Sequence, residues 1–170
     1  MGTSFGGYST FALLENAPSR FRAGVAESSA PLDPIHFWGS ASFWDGIADQ
    51  SNGDPTEAFD SESWVEGGQT QLKTPFWQNQ EAYLRNGPLY HADKVRAPVM
   101  LIHGDLDGFD SFNDAQRMFA ALVRTGTQPV FLHYWGEFHG IAYPANQVDE
   151  ITRISRWLSR YIGAASLNGQ

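Results

Sequence analysis

Three short segments of this sequence carry side chains suited to nucleophilic hydrolysis. The first is Gly2-Thr3-Ser4-Phe5-Gly6-Gly7. A G-x-S-x-G pattern ahead of a helical stretch is the form of a nucleophile elbow. Glycines two positions either side of the serine let the backbone turn sharply. The Ser4 hydroxyl then projects at a helix start, where free N–H groups and the helix dipole favour an oxyanion. The second segment is His103-Gly104-Asp105-Leu106-Asp107-Gly108, and the third is Tyr134-Trp135-Gly136-Glu137-Phe138-His139-Gly140. A serine alcohol is a poor nucleophile until a base takes its proton. His139 is the candidate base and then the acid that protonates the leaving group. An aspartate of the second segment would fix the imidazole tautomer and stabilise the imidazolium. The backbone N–H of Phe5 is the candidate oxyanion donor.

These segments can meet only if the elements before them deliver them to one place. Residues 5–16 carry Tyr8, Phe11, Ala12 and Leu14 and stop at Asn16-Ala17-Pro18, which reads as a short helix ended by proline. Residues 23–27 read as a short buried strand. Residues 98–102 (PVMLI) are a continuous apolar run, the mark of a strand covered on both faces. Residues 129–134 (PVFLHY) form another. Pro75 at a first helical position and Gly87 just past the end predict a helix over 75–86. Ala115, Met118, Phe119 and Leu122 predict one over 111–125, with Ser111 as N-cap and Gly126 as stop. In 146–162, Val148, Ile151, Ile154, Leu158 and Tyr161 make an apolar stripe read as core packing, and Gly163 ends it. Residues 28–73 have no sustained period. They hold Trp38, Trp44, Trp64 and Pro at 31, 34 and 55, and read as a loop-rich insertion near the site.

Strands alternating with helices imply an α/β fold: a parallel sheet with helices on both faces, three layers in all. In such a sheet the loops after the strands gather at its carboxyl edge, where ligands bind. Ser4, an aspartate of the second loop and His139 therefore converge although far apart in sequence. Their order, Ser then Asp then His, is that of the α/β-hydrolase triad.

Composition narrows the alternatives. The chain has 170 residues and a formal charge of 11 − 19 = −8, which argues against nucleic acid as a partner. No apolar run is long enough for a membrane span. The opening MGTSFGGYST lacks the charged start and apolar middle of a signal peptide, and localisation stays open. There is no cysteine, hence no disulfide framework, thiolate metal site or catalytic thiol. Asp105, Asp107 and Asp110 fail a calcium-loop spacing at Phe109 and Gln116, and no cofactor is implied. His103 reads as a packed or backbone-bonded histidine, and His36, His91 and His133 as surface or loop residues.

GTSFGGY resembles the G-x-S-x-G-G-Y elbow of the prolyl oligopeptidase family of serine peptidases. ADKVRAPVMLIHGDLD (92–107) resembles that family's run into its acid loop, YWGEFHG (134–140) its histidine loop, and PANQVDEITRISRWLSRYI (144–162) its closing helix. The likeness covers nearly the whole chain, least well over 37–72. It implies the carboxyl-terminal portion of an α/β-hydrolase catalytic domain over 1–170. By that resemblance Ser4 is the nucleophile, Asp107 the acid and His139 the base, acting on peptide substrates through an acyl-serine intermediate. A carboxylesterase is the alternative within enzymes. Two departures stand out. The acid loop runs on as Gly108-Phe109-Asp110-Ser111 instead of a Val-Pro-like pair, leaving Asp110 as a rival acid. Phe138 replaces a small residue before the histidine and narrows the approach to it.

The resemblance also implies a partial domain. Only three residues precede Ser4, so the elbow's strand, the earlier strands and the second oxyanion donor are expected to be missing. Three strands, a bare sheet edge beside 23–27 and exposed apolar helix faces follow as expectations. So does a chain that self-associates, that is completed by the missing amino-terminal half, or that is an inactive truncated product.

Overall fold

The computed structural model of the protein describes residues 1–29, 31–38, 65–107 and 112–162. In chain order these form β1 (Gly2–Thr3), α1 (Phe5–Asn16), β2 (Gly24–Glu27) and α2 (Pro34–Trp38). A 3₁₀ turn (Phe76–Gln78), α3 (Gln80–Asn86) and a second 3₁₀ stretch (Pro88–Lys94) follow. The chain then runs through β3 (Val99–Gly104), α4 (Phe112–Arg124), β4 (Val130–Tyr134) and α5 (Pro144–Ile162).

The apolar run at 98–102 does what its composition requires. All of β3 is buried, and its side chains alternate between two cores. Val99 and Leu101 pack with Phe11 and Leu14 of α1 and Met118 and Leu122 of α4. Met100 and Ile102 pack with Val25 of β2 and Ile154 and Trp157 of α5. The period of two along the strand thus divides helices into a layer on each face. The sheet order is β1-β2-β3-β4, all parallel. Gly24–Glu27 pair with Val99–Ile102, and Met100–Gly104 with Val130–Tyr134.

The expectation of three strands is corrected. Gly2 and Thr3 form a fourth, pairing with Ala26 and Glu27, and Ser4 N–H continues the ladder to the Glu27 carbonyl at 3.0 Å. The edge of β2 is therefore partnered over its second half. Two residues carry no periodicity, so only pairing to β2 reveals this strand.

Two helices also differ from expectation. The stretch 75–86 breaks in two, because Asn79 turns its side chain onto the Ala82 N–H and caps a new helix there. In α5, Val148 and Ile151 are 67% and 63% exposed, so these two are not core. The buried face is Glu150, Ile154 and Trp157, flanked by Leu158 and Tyr161. A three-residue step falls about 60° short of a full turn, so the stripe drawn through 148, 151 and 154 drifts off the sheet. Trp157 sits where the true face lies.

The stretch 28–73 is partly packed. Val65 and Leu72 join Ala82 and Tyr83 in a small core of their own. Asp33 accepts from Ile35 N–H, from Tyr90 and from Arg117, which tethers the start of α2 to α4. Residues 39–64, including Trp44, Pro55 and Trp64, lie outside the described residues, as do Asp110, Ser111 and Gly163.

Candidate active site

Ser4 sits between β1 and α1 with φ 59° and ψ −126°, a conformation L residues rarely adopt. Its carbonyl accepts from Gly7 N–H at 2.8 Å and Tyr8 N–H at 3.2 Å, and its N–H is taken by β2. The turn is thus held from both sides, as backbone in a sparsely populated conformation must be to persist. A Cβ on Gly2 would lie 2.1 Å from the Gly6 carbonyl oxygen, and one on Gly7 would lie 2.1 Å from Ser29 Oγ. Gly2 lets the turn close, and Gly7 lets α1 lie against β2. Ser4 occupies the N-cap position of α1, yet its hydroxyl makes no cap bond.

That hydroxyl meets the imidazole of His139 instead, with Oγ 2.9 Å from Nε2. The other ring nitrogen, Nδ1, lies 3.1 Å from each carboxylate oxygen of Asp107. The Asp107 side chain is 0% exposed and that of His139 is 30% exposed. Phe5, the candidate oxyanion donor, is the first residue of α1, directly after Ser4. Its ring stacks on Tyr8 at 5.0 Å. Phe138 is exposed beside His139. Asp107 is the aspartate that reaches His139; the rival Asp110 is among the residues not described.

The loops bearing Asp107 and His139 are joined to each other. Leu106 N–H donates to the Glu137 carbonyl at 2.9 Å, and Gly136 N–H to Asp105 Oδ1 at 2.6 Å. Gly104 fits beneath them, since a Cβ there would stand 2.3 Å from the Glu137 carbonyl oxygen. The Glu137 carboxylate is itself buried. It accepts from Ala142 N–H at 2.7 Å, Asn146 at 2.7 Å and Tyr143 N–H at 3.1 Å. Burial alone would raise this carboxyl, but the three donors outweigh it and hold it below the ordinary glutamate range.

Two further carboxylates lie buried nearby. Glu27 accepts from Thr3 Oγ1 at 2.6 Å. Glu150 is raised to about 7, first by burial and then by the charges of Glu27 and Glu137.

One histidine expectation is met, for His103, and one is corrected, for His133. His103 is packed, but it faces a carboxylate: its Nε2 lies 3.1 Å from Asp107 Oδ2. His133 stands on β4 between the rings of Phe112 and Trp135, with centroids at 4.3 and 4.2 Å. His103 and His133 sit in register on neighbouring strands, and neither position carries an apolar pattern that signals its contact. His36 is partly exposed and pairs with Asp114 at 3.0 Å, and His91 faces the Arg85 carbonyl at 3.2 Å. Among the described residues no cluster of His, Cys, Asp or Glu is arranged to hold a metal ion. No helix among them is long and apolar enough to cross a membrane.

The sequence profile of the Prolyl oligopeptidase family matches residues 1–165. The chain belongs to that family. Dipeptidyl peptidase family member 6 of Caenorhabditis elegans is 26% identical to this member over 164 residues, covering 96% of this chain and 20% of that protein. The uncharacterized peptidase YuxL of Bacillus subtilis is 23% identical, covering 95% and 22%. This family member therefore spans about a fifth of the length of such relatives. Among solved structures, a puromycin-hydrolyzing peptidase of Mycobacterium tuberculosis superposes with a TM-score of 0.76 at 22% identity, over 95% of this chain and 21% of that one. The acylaminoacyl peptidase of Pyrococcus horikoshii gives 0.67 at 21% identity, over 99% and 25%. Likeness at this level concerns the fold, which is that of the α/β-hydrolases.

Proposed function

We propose that this protein is a serine peptidase working through an acyl-serine intermediate, with Ser4 as nucleophile, His139 as general base and acid, and Asp107 as the group that orients His139. The observation that carries the reading is the continuous line from the Asp107 carboxylate through His139 to Ser4 Oγ, at 3.1 and 2.9 Å.

The chemistry follows from what each atom can donate. An ionised carboxylate only accepts, so the Nδ1 that faces Asp107 carries the ring proton. Nε2 then presents its lone pair to the Ser4 hydroxyl. As Oγ attacks the carbonyl carbon of a peptide, Nε2 takes its proton. The imidazolium so formed is stabilised by the buried charge of Asp107. The carbonyl oxygen becomes an oxyanion beside the first turn of α1, where Phe5 N–H can donate and the helix dipole is favourable. His139 returns its proton to the departing amine. Water then repeats the sequence and releases the acid. The same line of atoms would open an ester; membership of a peptidase family favours the peptide.

The test is reaction of the chain with a fluorophosphonate, followed by mass-spectrometric mapping. The expected result is one adduct, on Ser4, absent after Ser4→Ala. A folded chain with no adduct, or with its adduct elsewhere, overturns the assignment.

A further inference from the structure

We propose that His103 is a positioning residue for the site: its Nε2–H holds the Asp107 carboxylate in the plane that His139 needs. This rests on the triad reading above.

Asp107 lies between two imidazoles. His139 approaches both carboxylate oxygens through Nδ1, and His103 approaches Oδ2 through Nε2 at 3.1 Å. The two rings differ in footing. His139 stands on a loop and is 30% exposed. His103 belongs to β3, is 1% exposed and meets Phe112 of α4 edge-on at 5.9 Å. Its parity along β3 is that of Leu101, so its ring enters the packed layer of α1 and α4. The turn between the two residues is closed by Asp107 N–H on the Gly104 carbonyl at 3.4 Å. A rigid strand end and a four-residue turn thus bring a buried ring nitrogen within 3.1 Å of a buried carboxylate.

Two physical consequences follow. A carboxylate has room for several donors, and a buried donor on the strand adds a fixed contact to the one made by the 30%-exposed His139 ring. The strand-borne donor makes His139's orientation a property of the sheet. A donor on Oδ2 also draws charge from the carboxylate, which moderates how strongly Asp107 stabilises the imidazolium. Because a carboxylate only accepts, the proposal requires that His103 carry a proton on Nε2. Among the described residues of these loops, the other charged groups are engaged elsewhere: Asp105 by Gly136 N–H, and Glu137 by Ala142, Tyr143 and Asn146. His133 neighbours His103 across the sheet.

The experiment uses the full 170-residue chain. The rate of Ser4 labelling by a fluorophosphonate is followed against pH. ¹⁵N-histidine NMR reports the tautomer of His103 and the titration of His139. His103→Phe keeps a ring against Phe112 but has no donor; His103→Gln restores an N–H of similar reach. His103→Phe is expected to slow labelling about 10–100-fold. It should also move the acid limb of the rate profile, and the titration of His139, upward by about half a pH unit. His103→Gln is expected to recover both to near wild type. Unchanged rate and limb in His103→Phe overturn the proposal. So does a His103→Gln chain as impaired as His103→Phe, because the loss would then come from packing. Wild-type NMR tests the proposal without any variant: a His103 with Nε2 unprotonated overturns it, and a protonated Nε2 supports it. Failure of the triad reading looks different, as a folded wild-type chain whose Ser4 is never labelled.

Discussion

Leu106 N–H donates to the carbonyl of Glu137 at 2.9 Å, and this backbone bond fastens the loop of Asp107 to the loop of His139. The Glu137 side chain extends the fastening into the start of α5 through Ala142, Tyr143 and Asn146. One residue therefore sets the distance between the Asp107 loop and the His139 loop from its backbone, and the path of the His139 loop from its carboxylate.

Replacing Glu137 by alanine should cost about 1–3 kcal/mol, because three donors lose a charged acceptor. Its folded-state ionisation is depressed, so its contribution is present above the unfolded glutamate range and is lost as pH falls through the folded value. Urea midpoints at pH 7 and pH 3 check this. The variant should be weaker than wild type at pH 7, and the gap should shrink at pH 3.

Glu150 and Glu15 act with the opposite sign. Glu150 is raised to about 7, by burial and then by Glu27 and Glu137. Glu15 is raised to about 8 by burial, with Lys94 opposing and Asp93 adding to the shift. Each favours the fold while protonated. That contribution is complete below the unfolded value near 4.5 and fades as pH rises through 7 to 8. Glu150→Gln and Glu15→Gln should each raise the melting temperature at pH 8.5 and leave it nearly unchanged at pH 4. An equal effect at both would contradict the assignment.

The elbow glycines are unequal. Gly2→Ala and Gly7→Ala each place a Cβ within 2.1 Å of another atom, whereas a Cβ on Gly6 has nothing within 4 Å. Gly2→Ala strikes the Gly6 carbonyl, which is backbone and cannot swing aside. Fluorophosphonate labelling should fall by about 10² or more in Gly2→Ala, since a small misplacement of a nucleophile carries that cost. Gly6→Ala should stay within about threefold, an exchange the open space permits.

The face of α5 gives a stability test. Trp157→Ala should cost about 3–5 kcal/mol, as removal of a large buried ring does. Ile151→Ala, at an exposed position, should stay within about 0.5 kcal/mol. Chemical denaturation of both variants decides whether the helix presents the 150/154/157 face to the sheet.

Much of this arrangement is legible in the sequence because it is periodic or sits at a junction. The continuous apolar run before His103 marks a doubly covered strand. Asp107 and His139 each follow a strand that the sequence marks, Ser4 opens a helix in an elbow pattern, and a parallel sheet has one edge for all of them. Features without a period stay hidden. β1 is two residues long and exists by pairing with Ala26 and Glu27. Steps of three misplace the buried face of α5, because the helix repeats at 3.6. His103 and Glu137 are buried polar residues whose partners are set by tertiary structure. Their local clues are spacing alone: His103 four residues before Asp107, and Glu137 two residues before His139.

The central claim is that Ser4, His139 and Asp107 act as one unit. The direct measurement is the rate of Ser4 phosphonylation in the wild-type chain, in His139→Ala, in Asp107→Asn and in the double variant. Each single change should slow the reaction by more than about 10³-fold, and the double variant should be no slower than the worse single within about threefold, because a broken unit cannot be broken twice. Ser4 reacting equally well without His139, or losses that simply multiply, would contradict the account.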